Sequence, residues 1–310
     1  MTVVIAGSTG LVGSALVAAF ADAGHDVFGI NRSVVDLSDL AATKDFLGNL
    51  KPDLVIDAAA RVGGIGANDS FPVEFLTENL TIQGNLMAAA HFAKVDRFIF
   101  LGSSCIYPRD CAQPIKEEYL MTGPLETTNS AYAIAKIAGI ELINSYRKEF
   151  GAKWISLMPT NLYGPNDNFS LKDSHVLPAF IRRFVEAVEG GADSVTLWGT
   201  GTPKREFLHV QDLAKAILVA VESYDSSQHL NIGTGVDISI KVLAEKIAAA
   251  AGFAGEILWD STKPDGTLRK VMDVSKVQAL GWKSSITLDD GIGSTMAWYK
   301  EASLRGEVRK

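Results

Sequence analysis

Short apolar runs alternate with helix-period patterns through the first half of the chain. Residues 2–7 (TVVIAG) are a continuous apolar run, as expected of a strand buried on both faces. Residues 11–24 (LVGSALVAAFADAG) carry apolar positions at helical spacing and end on a glycine stop. Further strands are predicted at 25–31 (HDVFGIN), 52–60 (PDLVIDAAA), 97–104 (RFIFLGSS) and 153–165 (KWISLMPTNLYGP), the last running into a loop. Long helices are predicted at 77–95 and 132–151. Strands alternating with helices in this order predict a doubly wound parallel α/β sheet with helices on both faces.

The pattern changes after residue 165. Residues 166–205 read as loop-rich, with one helix at 178–189. The stretch FLHVQDLAKAILVAVES (207–223) has helical periodicity, and HLNIGTG (229–235) reads as a strand returning to the sheet. A helix from Ser239, a short strand EILWD, a loop at 261–270 and a last helix follow. Residues 1–165 with 209–238 are expected to form a nucleotide-binding domain. Residues 166–208 and 239–310 are expected to form a smaller substrate domain.

Composition narrows the class. The 310 residues are 47% hydrophobic and 21% charged, ordinary for a globular enzyme-sized chain. A net charge of −7 argues against nucleic-acid binding, so an anionic substrate would need a local basic cluster. Two cysteines make no disulfide framework and suit a reduced, cytoplasmic setting. The first residues have no signal-peptide pattern, and no run approaches the roughly 18 apolar residues of a membrane span. No His, Cys or Asp cluster has metal-ligand spacing.

Three motifs carry chemistry. Gly7, Gly10 and Gly13 form G-x-x-G-x-x-G between the first strand and first helix, where backbone without Cβ lets a pyrophosphate approach the helix N-terminus. The second strand ends in Asn31–Arg32 rather than an acidic residue; a cation there suits a 2′-phosphate and favours NADP over NAD. Tyr132 and Lys136 stand at i and i+4 on one helix face, where the cation would ease proton transfer from the phenol to a carbonyl oxygen. Ser103 or Ser104, at the end of a strand, would complete a hydroxyl–Tyr–Lys set around that carbonyl. From the residues alone Cys105 reads as a small core residue and Cys111 as a passive thiol. His175 reads equally as a helix-end polar residue or a reactive one, and His209 as structural. Arg182 beside Arg183 leaves open which one points inward.

These motifs, with DAAA, LGSSCIYP, PTNLYGP, REFLHVQDLA and NIGTG, resemble the extended short-chain dehydrogenase/reductase superfamily over nearly the whole chain. ARVGGIGAN, LGSSCIYP, YAIAKIAGIEL, MPTNLYGPNDNF, SHVLPAFIRRF, WGTGTPKREFLHV and KPDGTLRK resemble, more narrowly, the bifunctional epimerase–reductases that make GDP-L-fucose. The resemblance implies NADPH-dependent 3,5-epimerisation and 4-reduction of GDP-4-dehydro-6-deoxy-D-mannose. It implies an acid/base pair, Cys105 and His175, acting at the carbons beside the ketone, with Ser103 and Tyr132 at the ketone oxygen and Lys136 supporting Tyr132. It assigns the cofactor to Gly7, Ser8, Thr9, Gly10, Leu11, Val12, Gly13, Arg32, Leu101, Gly102, Ser103, Ser104, Lys136, Pro159, Thr160, Asn161, Leu162 and His175. It assigns the nucleotide-sugar to Arg183, Trp198, Arg205, Asp265 and Lys270. It implies a homodimer built on the helices at 77–95 and 132–151. One departure stands out: the family's basic residue near Thr9 is absent, leaving Arg32 to support NADP. The alternatives are a related nucleotide-sugar enzyme, such as a GDP-colitose-forming one or a pure epimerase or reductase, and a non-catalytic NADP-binding regulator.

Overall fold

The computed structural model describes residues 1–171, 173–263 and 265–309. Pro264 of KPDGTLRK and Lys172 of KDSHVLP lie outside the described residues. The first part of the chain runs β1 (Thr2–Ala6), α1 (Leu11–Asp22), β2 (Asp26–Ile30), α2 (Leu40–Leu50), β3 (Leu54–Asp57), α3 (Ile65–Ser70), α4 (Pro72–Phe92), β4 (Arg97–Leu101), α5 (Ser130–Phe150) and β5 (Ile155–Pro159). It continues with β6 (Asn161–Tyr163), α6 (Val176–Glu189), β7 (Ser194–Trp198), β8 (Lys204–His209), α7 (Val210–Ser223), β9 (Leu230–Ile232), β10 (Asp237–Ser239), α8 (Ile240–Ala251), β11 (Glu256–Asp260), β12 (Arg269–Lys270), α9 (Ser275–Ala279) and α10 (Leu288–Arg305).

Six parallel strands form the main sheet in the order β2-β1-β3-β4-β5-β9. Helices α1 and α7 pack together, and α4 packs with both α2 and α5. The strands between them are buried on both faces and read as unbroken apolar runs, as parallel sheets require. The chain leaves β1 toward β2 and returns to β3 on the other side. The C-terminal ends of β1 and β3 therefore flank the switch point at which open α/β sheets bind ligands.

A second apolar core forms around α6, α8, α10 and β7, with Phe184, Leu197, Ile247 and Tyr299 fully or nearly fully buried. Beside it β8 carries β10 and β12 on its two edges and pairs with β6. Residues Met272, Val274, Val277 and Trp282 return to the first core. Among the described residues no helix is long and apolar enough to cross a membrane.

The structure departs from the sequence expectation at several places, beginning with α2 and β7, which the apolar pattern did not predict. Residues 207–209, expected to open a helix, end β8, and the helix begins only at Val210. Parallel pairing of Phe207, Leu208 and His209 with β6 overrides the helical pattern there, and the His209 side chain caps the new helix by accepting from the Gln211 amide at 3.3 Å. The strand expected to reach residue 104 ends at Leu101. The Ser103 hydroxyl accepts the Cys105 N–H at 3.2 Å and opens a 3-10 turn over Ser104–Ile106. The long helices also start earlier than their apolar patterns: α4 at Pro72, a residue suited to a first turn, and α5 at Ser130.

Candidate active site

The site is assembled from the ends of β1, β3, β4 and β5 and from the starts of α5 and α6. All of these border one cleft of about 1430 Å³.

The turn after β1 sets the floor. Gly7 has φ +75°, and a Cβ on it would lie 2.6 Å from the Ala58 carbonyl oxygen at the exit of β3. A Cβ on Gly13 would lie 2.1 Å from the Gly7 oxygen. Only glycines let the turn, the helix and the neighbouring strand end close this tightly. Helix α1 starts at Gly10 with no side-chain cap. Gly10, Leu11 and Val12 border the cleft, so the uncapped amides of the first turn are available to an anion. The residues present therefore fit a dinucleotide pyrophosphate. Ser8 and Gly13, both expected at the cofactor, do not border the cleft. Ser8 gives its amide to the Ile30 carbonyl at 3.1 Å, and Gly13 packs behind the turn. Arg32 borders the cleft with a side chain 86% exposed, near Glu78 at 3.7 Å.

Lys136 is carried down to the sheet by close packing of α5 on β4. A Cβ on Gly139, one turn along, would sit 2.3 Å from the Phe100 ring. The Lys136 ammonium is buried, donates to the Leu101 carbonyl at 2.9 Å and lies 4.8 Å from the Phe100 ring centroid. Burial lowers its pKa, opposed by Asp57. Asp57 is itself buried and leaves one carboxylate oxygen unpartnered. Burial raises its pKa to about 6, against the pull of Lys136 and the Ala59 amide. Desolvation outweighs the pair's attraction at both ends.

Tyr132 lies one turn before Lys136 and 5.9 Å from its ammonium, measured to the ring centroid. Burial drives the phenol pKa well up, a negative Cys105 would raise it further, and a hydrogen bond with Ser103 lowers it. Tyr132 is thus a neutral proton donor over the ordinary pH range. Cys105 is half-buried in the 3-10 turn, and the Asn129 amide donates to its sulfur at 3.4 Å. The strand predicted to run to residue 104 does not extend to Ser103 and Cys105. The turn holds them instead, and both still border the cleft. His175 is the N-cap residue of α6 and borders the cleft. Its imidazole is crowded by protein, which lowers its pKa, yet solvent still reaches it through the cleft.

Pro159, Thr160, Asn161 and Leu162 line the cleft beyond β5, as do Leu101, Gly102 and Ser104 beside β4. Arg183, Trp198, Arg205, Asp265 and Lys270 also border the cleft. Arg182 does not border the cleft and donates to Glu186 at 2.7 Å and to the Phe169 carbonyl at 3.2 Å, whereas Arg183 borders the cleft while donating to the Thr196 carbonyl at 3.1 Å. Burial lowers the Arg205 pKa, while Cys105, Asp265 and Glu126 raise it. Trp198 is 65% exposed, with the Lys263 ammonium 5.7 Å from its ring centroid. Among the described residues no group of acidic, His and Cys side chains could hold a metal.

Sequence reasoning did not single out Asp57, Glu126 or Asn129, all of which border the cleft. A carboxylate ending an apolar strand was a usable signal for Asp57. Glu126 and Asn129 bracket a short 3-10 turn at the start of α5, and nothing in the local sequence points from them to the cleft.

Residues 3–233 match the model of the NAD dependent epimerase/dehydratase family. GDP-L-fucose synthase 1 of Arabidopsis thaliana is 49% identical over 296 residues, 95% of this chain and 92% of that one. GDP-L-fucose synthase of Escherichia coli is 45% identical over 309 residues, 96% of each chain. The crystal structure of a GDP-L-fucose synthetase from Naegleria fowleri bound to NADP superposes with a TM-score of 0.91. It is 28% identical and covers 100% of this chain and 96% of that one. A chain so alike in sequence and fold over nearly its whole length belongs to the NAD dependent epimerase/dehydratase family, among its GDP-L-fucose synthases.

Proposed function

We propose that the chain converts GDP-4-dehydro-6-deoxy-D-mannose to GDP-L-fucose, inverting C3 and C5 and then reducing C4 at the expense of NADPH. One observation carries this: Ser103, Cys105, Tyr132, Lys136 and His175 border one cleft together with the cofactor turn, Arg183 and Arg205. A reductase alone needs the first, third and fourth of these. A thiol and an imidazole beside them suit inversion next to a ketone.

NADPH, when bound, supplies a hydride to C4. The residues that would hold it are Gly7, Thr9, Gly10, Leu11 and Val12 at the pyrophosphate, Arg32 at the 2′-phosphate, and Pro159 to Leu162 toward the nicotinamide. Ser103 and Tyr132 hold the C4 oxygen. Their hydrogen bonds stabilise the negative charge that gathers there when a proton leaves C3 or C5. Cys105 and His175 remove and return those protons, one as base and one as acid. In the last step Tyr132 gives its proton to the C4 oxygen, and buried Lys136 stabilises the phenolate left behind. Arg183, Arg205 and Lys270 offset the diphosphate charge that an acidic protein would otherwise repel.

The working molecule is proposed to be a cytoplasmic homodimer joined through α4 and α5, on which Leu80 and Ile134 are exposed. The main-sheet unit is taken to hold the cofactor and the second core to hold the nucleotide-sugar. The test is to supply GDP-4-dehydro-6-deoxy-D-mannose with NADPH. Cofactor oxidation with GDP-L-fucose as product is the expected result, and absence of turnover contradicts the proposal.

A further inference from the structure

We propose that Asn129 is a positioning residue for Cys105, holding the sulfur and stabilising its thiolate. This rests on the acid/base role given to Cys105 above. Asn129 is the N-cap residue of α5, a place where asparagine ordinarily turns its side chain back onto the helix amides. Here it makes no such bond. Its amide nitrogen donates to the Cys105 sulfur at 3.4 Å, and its amide oxygen is buried without a partner among the described residues. A favourable cap has been given up and a polar atom left unsatisfied, while the amide reaches the one thiol in the cleft. The donor suits a thiolate better than a thiol, because hydrogen bonds to charged groups are the stronger kind. The other groups around the sulfur are accounted for. Ser103 accepts the Cys105 backbone N–H, Tyr132 is a neutral phenol, and Arg205 is the nearby cation, flanked by Asp265 and Glu126. Among these, only Asn129 gives the sulfur a side-chain hydrogen bond in the structure.

The experiment reads the thiol directly. Cys105 is alkylated with iodoacetamide across pH in the full chain with NADP⁺ present, in a Cys111→Ser background. Asn129→Ala should raise the midpoint of the reactivity curve by about one unit, making alkylation roughly tenfold slower at pH values below both midpoints. Asn129→Ser is the decisive companion. Serine caps a helix as well as asparagine does, so a purely structural role would survive in it. Its short hydroxyl does not reach the sulfur as the amide does, so the same upward shift is expected. Midpoints within 0.2 units of the parent in both variants would overturn the proposal. An inactive enzyme with an unaltered set of shifts would sink the proposed reaction and leave this assignment standing.

Discussion

Replacing Gly7 by alanine strikes the turn on which the cofactor end of the cleft is built. Two costs add. At φ +75° an L residue is in the left-handed region, which costs about 1–2 kcal/mol. The new Cβ would also stand 2.6 Å from the Ala58 carbonyl oxygen. That neighbour is backbone leaving β3, so it cannot swing aside as a side chain would. Overpacking of this kind costs about 1–3 kcal/mol. Together they amount to about 2–5 kcal/mol, or a thermal midpoint lower by about 4–10 °C. Relief of the clash opens the turn at the switch point, so NADPH binding should weaken at least tenfold. Gly24 supplies the control: its φ is +80° and nothing lies within 4 Å of a Cβ there. Gly24→Ala should cost about 1–2 kcal/mol and leave NADPH affinity unchanged. Calorimetric melts and fluorescence titration of NADPH measure both. Equal destabilisation by the two substitutions, or normal NADPH binding by Gly7→Ala, would show that the Ala58 carbonyl does not constrain this turn.

Three further substitutions test the site. Tyr132→Phe should slow NADPH oxidation by 10²- to 10⁴-fold with NADPH affinity unchanged; a loss under tenfold would mean another group donates the proton. Arg32→Ala should weaken NADPH by about ten- to a hundredfold and leave NADH unaffected, as measured by parallel titrations. For Asp57 the folded pKa of about 6 lies above the usual carboxylate value of 3.8, so the native state binds the extra proton between those values. Stability attributable to Asp57 is therefore present below about pH 4 and lost as pH rises to about 6, by on the order of 3 kcal/mol. Urea melts of native protein and Asp57→Asn should diverge by that amount across that window; parallel curves would contradict it.

The sheet and the cofactor turn were legible because their signals are local. Gly7, Gly10 and Gly13 follow a buried apolar run and open a helix, and Tyr132 and Lys136 share a helical face by spacing alone. What the sequence concealed was set by distant contacts. Residues 207–209 carry a helical pattern but are claimed by β6, which pairs with them from more than forty residues earlier in the chain. A strand was predicted to run to residue 104, whereas a serine hydroxyl folds the segment after Leu101 into a turn. Asn129 reaches Cys105 across 24 residues, and nothing near either position announces it. The choice between Arg182 and Arg183 likewise needed distant partners, the Phe169 carbonyl for one and the Thr196 carbonyl at the cleft for the other.

In the proposed function one cleft both inverts two carbons beside a ketone and reduces that ketone. The direct measurement is the reaction of GDP-4-dehydro-6-deoxy-D-mannose with NADPH in deuterated water, with the product mapped by NMR. GDP-L-fucose bearing solvent deuterium at C3 and C5 and protium from the cofactor at C4 is the predicted result. A reduced sugar that keeps its original hydrogens at C3 and C5 would contradict the account.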